Sequence, residues 1–125
     1  MTPQSPVDLH LHSTASDGTL DPATLVRHVA AHGVRLMALT DHDTVSGVAA
    51  AAAAAREAGI AFVAGVELSA LWRGRTIHVL GLAVDPDSPR LTAGLAPFIV
   101  AQVACNQRYQ IRAAGLLYLV EQLLL

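Results

Sequence analysis

Residues 7–18 read VDLHLHSTASDG, and they combine a strand-like pattern with side chains suited to metal binding. Apolar and polar residues alternate from Val7 to His12, which is typical of a β-strand. Because alternate residues of a strand point to the same face, His10 and His12 are expected to leave the strand together. Imidazole nitrogens and carboxylate oxygens, such as those of nearby Asp17, are ligands that Zn, Mn and Fe accept. The stretch therefore predicts the first strand of a metal-dependent hydrolase.

Strand-like and helix-like segments alternate through the rest of the chain. The predicted strands are 7–12, 34–40, 60–66 and 76–84, the predicted helices are 22–32, 44–58 and a long stretch from about 90, and residues 72–75 and 85–89 are predicted as a hairpin tip and a loop. Asp21 and Pro22 suit a helix N-cap and first position, and Gly33 suits a helix end. Thr44 is predicted to cap the second helix and Gly59 to end it. Strands separated by helices indicate βαβ units, a parallel sheet and the α/β class.

Further candidate ligands stand near the ends of the predicted strands. His42 lies in the run TDHD at residues 40–43, Glu67 follows the third predicted strand, and His78 lies within the fourth. In parallel α/β folds, ligands gather at the carboxyl ends of the strands. These residues are therefore expected to form one site with His10 and His12.

The bulk composition limits the class of protein. A length of 125 residues allows one domain, and a net charge of −2 offers no basic field for a DNA duplex. The single cysteine, Cys105, cannot form an internal disulfide, which fits a reducing compartment. We find neither a signal-peptide pattern nor an apolar run near the roughly 20 residues of a membrane span. The sequence predicts a soluble, cytoplasmic protein.

Taken together, the motifs resemble those of the polymerase-and-histidinol-phosphatase (PHP) family of metal-dependent phosphoesterases. They are His10-x-His12, Asp17-Gly, the TDHD run at 40–43, Gly-x-Glu67 and His78. The resemblance covers about residues 6–112, and it is closest to bacterial enzymes that act on nucleoside 3′,5′-bisphosphates and trim short RNA from the 5′ end. It implies an α/β fold, the N-terminal part of a distorted (β/α)₇ barrel with about four strands present.

The same resemblance implies up to three divalent metal ions, Mn, Fe or Zn. His10, His12 and Glu67 would hold the first ion, and Glu67 would bridge to the second, which His78 also holds. Asp17 and His42 would hold the third. Glu67, His42 and Asp43 are the predicted catalytic residues. Hydroxide held by the metals would attack phosphorus, so no protein nucleophile is required.

One departure from the family pattern concerns the later part of the chain. The family continues with another histidine and an Asp-x-His pair, whereas this sequence has no histidine after His78 and no aspartate after Asp87. We interpret residues 1–112 as the N-terminal part of the domain. Residues 113–125 form an atypical apolar tail of the kind that truncation or a shift of reading frame near residues 109–113 would produce.

The predicted activity of the intact protein is hydrolysis of phosphate esters, with nucleotides or short RNA as substrates and no DNA duplex or membrane as partner. One alternative is a phosphatase of the histidinol-phosphate type. Another is a catalytically incomplete chain that acts as a binding module through its apolar tail. The sequence makes no prediction of oligomeric state.

Several polar residues keep two interpretations at this stage. Asp8 and Asp41 could each orient a metal ligand through a hydrogen bond. Asp43 either faces substrate or favours the turn. His28 and His32 lie four residues apart on the first helix and are interpreted as solvated, since Val29 stands where a metalloprotease motif requires glutamate.

Overall fold

The computed structural model describes residues 5–72 and 75–95, with the backbone alone at 70–72. The strands and helices of that part are β1 (Val7–Leu11), α1 (Pro22–Ala31), β2 (Leu36–Leu39), α2 (Val48–Ala58), β3 (Ala61–Trp72) and β4 (Arg75–Leu82). Residues 89–95 are also helical. The four strands form one curled sheet in the order β1-β2-β3-β4. The α/β class and the part-barrel with about four strands are confirmed.

Helix α1 begins and ends where the sequence predicts. The Asp21 side chain accepts a hydrogen bond from the Thr24 backbone N–H at 3.1 Å, and Pro22 occupies the first turn. The hydrogen bonds that Thr24 donates to this cap lower the pKa of the Asp21 carboxyl. Gly33 follows the helix with φ of +91°, a conformation that residues with a Cβ rarely adopt.

The apolar core lies on the outer face of the sheet in two clusters. Helices α1 and α2 cover β1, β2 and the start of β3, and the residue Met37 at the centre of this cluster is fully buried. Within the alanine run of α2, Ala51 and Ala55 are buried, so one face of this run forms part of the core despite its small side chains. Helical residues 89–95 cover Val66 and Leu68 of β3 in the second cluster. The inner face of the sheet is left to the polar residues.

Strand β3 is longer than predicted, and this changes the context of Glu67. It continues to Trp72 because β4 pairs with it, from Gly65↔Leu82 to Trp72↔Arg75. Glu67 therefore lies within β3 and does not follow it. The β3–β4 pairing is antiparallel, so the predicted parallel sheet holds for β1, β2 and β3 only. The hairpin fits the predicted tip near residues 72–75, although residues 73 and 74 lie outside the described part.

The predicted cap at Thr44 is wrong, because α2 begins later, at Val48. Thr44 Oγ1 instead accepts a hydrogen bond from the Ser46 backbone N–H at 3.2 Å. The preceding residues still pair with β3 through a bridge between His42 and Glu67, so the chain cannot turn into a helix at that point. The apolar tail at 113–125 and Cys105 lie outside the described residues. In the described part, no helix has the length and apolar character needed to cross a membrane.

Candidate metal centre

Four histidine rings converge on the carboxylate of Glu67, whose side chain is 6% exposed. Glu67 Oε2 lies 2.9 Å from His10 Nε2, 3.0 Å from His12 Nε2 and 3.7 Å from His42 Nδ1. Glu67 Oε1 lies 3.6 Å from His78 Nδ1. These five residues come from β1 and the loop after it, from the segment after β2, and from β3 and β4. The structure therefore brings these five predicted residues together, and their binding of metal stays a prediction.

Asp17 extends the cluster on the side of His12 and His42. Its Oδ1 lies 3.6 Å from His12 Nδ1, and its Oδ2 lies 3.3 Å from His42 Nε2. The rings of His12 and His42 stack with their centroids 4.5 Å apart. Asp17 therefore reaches the cluster from the loop after β1, although its side chain remains 68% exposed.

Three groups of side chains have ligand atoms within 4.8 Å of one another. They are His10 with His12 and Glu67, His12 with Asp17 and His42, and His42 with Glu67 and His78. The first group coincides with the set predicted for the first metal, and the others contain the predicted pairs Asp17–His42 and Glu67–His78. A neutral imidazole has one lone pair, so His12 and His42 could each serve one ion at a time.

The chemistry of this donor set fits a divalent cation. Glu67 is buried, and a carboxylate in such a position is stabilised by a cation, which a divalent metal would supply. His12 Nδ1 is buried and has no hydrogen-bond partner. Unpaired buried nitrogens are rare in native proteins, and ligation of an ion is one way to satisfy them. Mixed nitrogen and oxygen donors suit Zn, Mn and Fe alike.

Asp41 holds the loop that connects two of the candidate ligands. It is 1% exposed, and its Oδ1 accepts hydrogen bonds from the Ser13 backbone N–H at 2.6 Å and from Ser16 Oγ at 2.8 Å. Its Oδ2 accepts one from Ser13 Oγ at 2.7 Å. The loop between His12 and Asp17 is thereby fixed to the segment that carries His42. The prediction that Asp41 orients a metal ligand directly differs from the structure, in which its carboxylate supports the loop through Ser13 and Ser16.

The close packing of the same loop requires a glycine at position 18. A Cβ atom there would lie 2.2 Å from the His12 carbonyl oxygen and 2.8 Å from the Ser13 carbonyl carbon. The Gly18 backbone N–H donates to the Ser13 carbonyl oxygen at 2.8 Å. Glycine thus allows the chain to pass against its own backbone where it leads away from Asp17.

Asp43 is turned into the protein toward β3. It is 1% exposed, and its Oδ1 accepts a hydrogen bond from the Ser69 backbone N–H at 2.8 Å. Its Oδ2 is buried without a partner, and this burial raises the pKa of Asp43. The backbone of Asp43 has φ of +54°. A catalytic role for Asp43 stays a prediction, whereas its part in the turn is visible.

Other polar residues lie apart from the cluster or serve the backbone. Asp8 Oδ1 accepts from the His10 backbone N–H at 3.2 Å. His28 and His32 are exposed on α1, and the His32 ring bonds to the His28 carbonyl oxygen. Ser69 was not among the predicted residues, because it bonds Asp43 through its backbone N–H, a contact that its residue type does not indicate.

The chain matches a known protein family and curated relatives. The sequence pattern described as the PHP domain matches residues 8–113. The chain is 52% identical over 86 residues to a 5′-3′ exoribonuclease of Haemophilus influenzae, and 51% identical over 89 residues to a 3′,5′-nucleoside bisphosphate phosphatase of Chromobacterium violaceum. These matches cover 69% and 71% of this chain and 31% of each relative. The chain therefore spans about a third of the length of these relatives.

Two solved structures share the fold. An amidohydrolase of Chromobacterium violaceum, with bound sulfate and no metal, superposes with a TM-score of 0.77 at 45% identity, over 79% of this chain and 35% of the other. A candidate metal-dependent phosphoesterase of Bifidobacterium adolescentis gives a TM-score of 0.73 at 32% identity, over 78% of this chain and 34% of the other. The coverage agrees with the prediction that the sequence represents one part of a larger barrel.

Proposed function

This chain belongs to the PHP family, and we propose that its protein hydrolyses phosphate esters of nucleotides, with nucleoside 3′,5′-bisphosphates and the 5′ ends of short RNA as the substrate class. The names of the two relatives, one a bisphosphate phosphatase and one an exoribonuclease, support this class. Both substrates present a terminal phosphate beside a ribose, so one site could serve both.

The convergence of four histidines on the buried Glu67 carboxylate is the observation that carries the proposal. Glu67 presents Oε2 to His10 and His12 and Oε1 to His78. It is therefore the residue that would join two metal positions, because a carboxylate has two oxygens to offer. Asp17 and His42 would hold a further ion at the other end of the cluster.

Bound divalent metals, of the class Mn, Fe or Zn, would supply Lewis acidity that activates water and offsets the charge of a phosphate. The protein's own contribution is to fix the ligands and leave an approach for substrate. The side chains of His10, His78 and Asp17 are 52%, 46% and 68% exposed, so the cluster opens to solvent on this side. A phosphate group could enter there without displacing the apolar core, which lies on the opposite face of the sheet.

The proposal is tested with the protein purified at its natural length. Release of inorganic phosphate from adenosine 3′,5′-bisphosphate is measured after removal of metals with EDTA, and again after addition of Mn²⁺, Fe²⁺ or Zn²⁺. We expect loss of activity with EDTA and recovery with at least one metal. Histidinol phosphate is the matched competitor substrate, and preference for it would replace the nucleotide class with the histidinol-phosphate class.

A second candidate function is metal-dependent binding without turnover. The absence of any histidine after His78 and of any aspartate after Asp87 favours it for the 125-residue chain. Tight binding of the bisphosphate by the metal-loaded chain with no phosphate release would support this candidate over the first.

A further inference from the structure

We propose that Asp41 and Asp43 are positioning residues that hold the ligand-bearing segments on the two sides of His42. The inference rests on the proposed function in one respect, namely that the clustered residues bind metal. Neither aspartate belongs to the three groups whose ligand atoms lie within 4.8 Å of one another. Both are 1% exposed, so neither offers its carboxylate to solvent.

Asp41 acts toward the loop after β1. Within residues 5–72 and 75–95, its carboxylate accepts three hydrogen bonds, and they come from Ser13 and Ser16, which lie between His12 and Asp17 in the chain. Movement of this loop would therefore change the separation of His12, Asp17 and His42. These three residues form one of the candidate metal groups.

Asp43 acts toward β3. The Glu67 backbone N–H donates to the Asp41 carbonyl oxygen at 3.0 Å, and the Asp43 backbone N–H donates to the Glu67 carbonyl oxygen at 3.0 Å. On the same edge of β3 the next donor is the Ser69 N–H, and it donates to Asp43 Oδ1 at 2.8 Å in place of a backbone carbonyl. The side chain thus continues the hydrogen-bond ladder past the point where the main chain turns away.

The left-handed backbone of Asp43 explains why a side chain has to take this role. At φ of +54° the chain leaves the direction of β2, and the residues after it cannot pair with β3. Aspartate and asparagine tolerate this conformation better than most residues with a Cβ. His42 stands between the two aspartates, so the pair fixes it relative to both the β1 loop and Glu67.

The test uses Co²⁺ as the metal probe on the protein purified at its natural length, with visible absorption reporting the ligand set and metal analysis reporting stoichiometry. Asp41→Ala removes the bonds to the loop, and Asp43→Gly removes the bond to Ser69 while suiting the positive φ. We expect each to weaken Co²⁺ binding about 10- to 100-fold, as loss of residues that orient ligands does elsewhere. Asp41→Asn and Asp43→Asn keep an acceptor oxygen and are expected to restore binding and the spectrum.

Hydrogen exchange on the metal-free chain separates this inference from the proposed function. We expect faster exchange of the Ser13 N–H in Asp41→Ala and of the Ser69 N–H in Asp43→Gly, whether or not metal binds. If the unsubstituted protein binds no Co²⁺, the proposed function fails, and the exchange rates then report whether Asp41 and Asp43 hold the two segments in the absence of metal. Asp85→Ala is the control, because the Asp85 side chain accepts a backbone hydrogen bond from Asp87 in an exposed loop apart from the cluster.

Two results would overturn the inference. One is unchanged exchange at Ser13 and Ser69 in the disruptive variants. The other is a chain that binds Co²⁺ and keeps the same affinity and spectrum in those variants. If Asp41→Ala fails to fold, Ser13→Ala replaces it, since it removes the 2.7 Å bond from Ser13 Oγ to Asp41 Oδ2. If Asp43→Gly fails to fold, Asp43→Ala replaces it, since it also removes the bond to the Ser69 N–H. An unchanged Co²⁺ affinity and spectrum in these replacements would also overturn the inference.

Discussion

The two faces of β3 differ in how their residues depend on one another. Val66 and Leu68 point outward into a core cluster and are fully buried, whereas Glu67 points inward to the histidine cluster and Ser69, two residues on, shares the face of Glu67. An apolar side chain contributes through non-directional contacts, so many residues share the outer role. The inner residues depend on particular partner atoms at particular distances. Alternate residues of this strand therefore serve different purposes, one set stabilising the fold and the other forming the candidate site.

Glu67→Gln is expected to give the largest effect on the inner face. It keeps the shape of the side chain and removes the charge that would join two metals, so metal-dependent phosphate release from the natural-length protein should fall by orders of magnitude. The melting temperature of the metal-free protein should change little, because the substitution removes both the cost of burying a charge and the interactions that offset it. Phosphate release and thermal unfolding check the two parts. Glu57→Gln, at an exposed position of α2, is the control, and wild-type activity in Glu67→Gln would remove Glu67 from the site.

Leu68→Ala probes the adjacent residue on the outer face and should reverse this pattern. Leu68 is fully buried, and its truncation is expected to lower the free energy of unfolding by about 2–5 kcal/mol. Co²⁺ binding, measured well below the melting temperature, should persist. Chemical denaturation and metal titration test both statements. Loss of Co²⁺ binding in a folded Leu68→Ala chain would show that the two faces are coupled.

Gly18→Ala is expected to affect both properties, to a lesser extent. The added Cβ would meet the His12 backbone at 2.2 Å, so the loop must shift and carry Asp17 with it. We expect a loss of about 1–3 kcal/mol in unfolding free energy, typical of overpacking, together with weaker Co²⁺ binding. Gly59→Ala is the control, because Gly59 has a φ of +69° but open space around it, so the substitution strains the backbone without meeting a neighbour. That control should lower stability and leave Co²⁺ binding unchanged.

The N-cap of α1 should give the smallest effect, and a pH-dependent one. The pKa of Asp21 is lowered from its ordinary value of 3.8 by its bonds to Thr24, so the ionised cap is favoured in the folded state. Its contribution is present above pH 3.8 and is lost as the pH falls through the lower pKa of the folded state. Asp21→Asn should keep the cap and remove this pH dependence, whereas Asp21→Ala should lose the cap at all pH values. Melting temperatures between pH 2 and 7 distinguish them, and identical curves for the three proteins would contradict the assignment.

Local patterns in the sequence were sufficient to predict the α/β order of elements and the identity of the candidate ligands. Hydrophobic periodicity and helix-end residues are local signals, so α1 could be placed almost residue by residue. The pairing of His10 with His12 on one face also follows from local geometry alone. The family motifs then joined these residues to His42, Glu67 and His78.

The relative positions of those residues, in contrast, depend on tertiary contacts. The antiparallel register of β3 and β4 places His78 opposite Ser69 and thereby beside Glu67, and no local pattern contains that register. The roles of Asp41 and Asp43 depend on Ser13 and Ser69, which lie 28 and 26 residues away in the chain. Such contacts arise from the packing of whole elements against a shared core, whereas a sequence pattern reports only what neighbouring residues prefer.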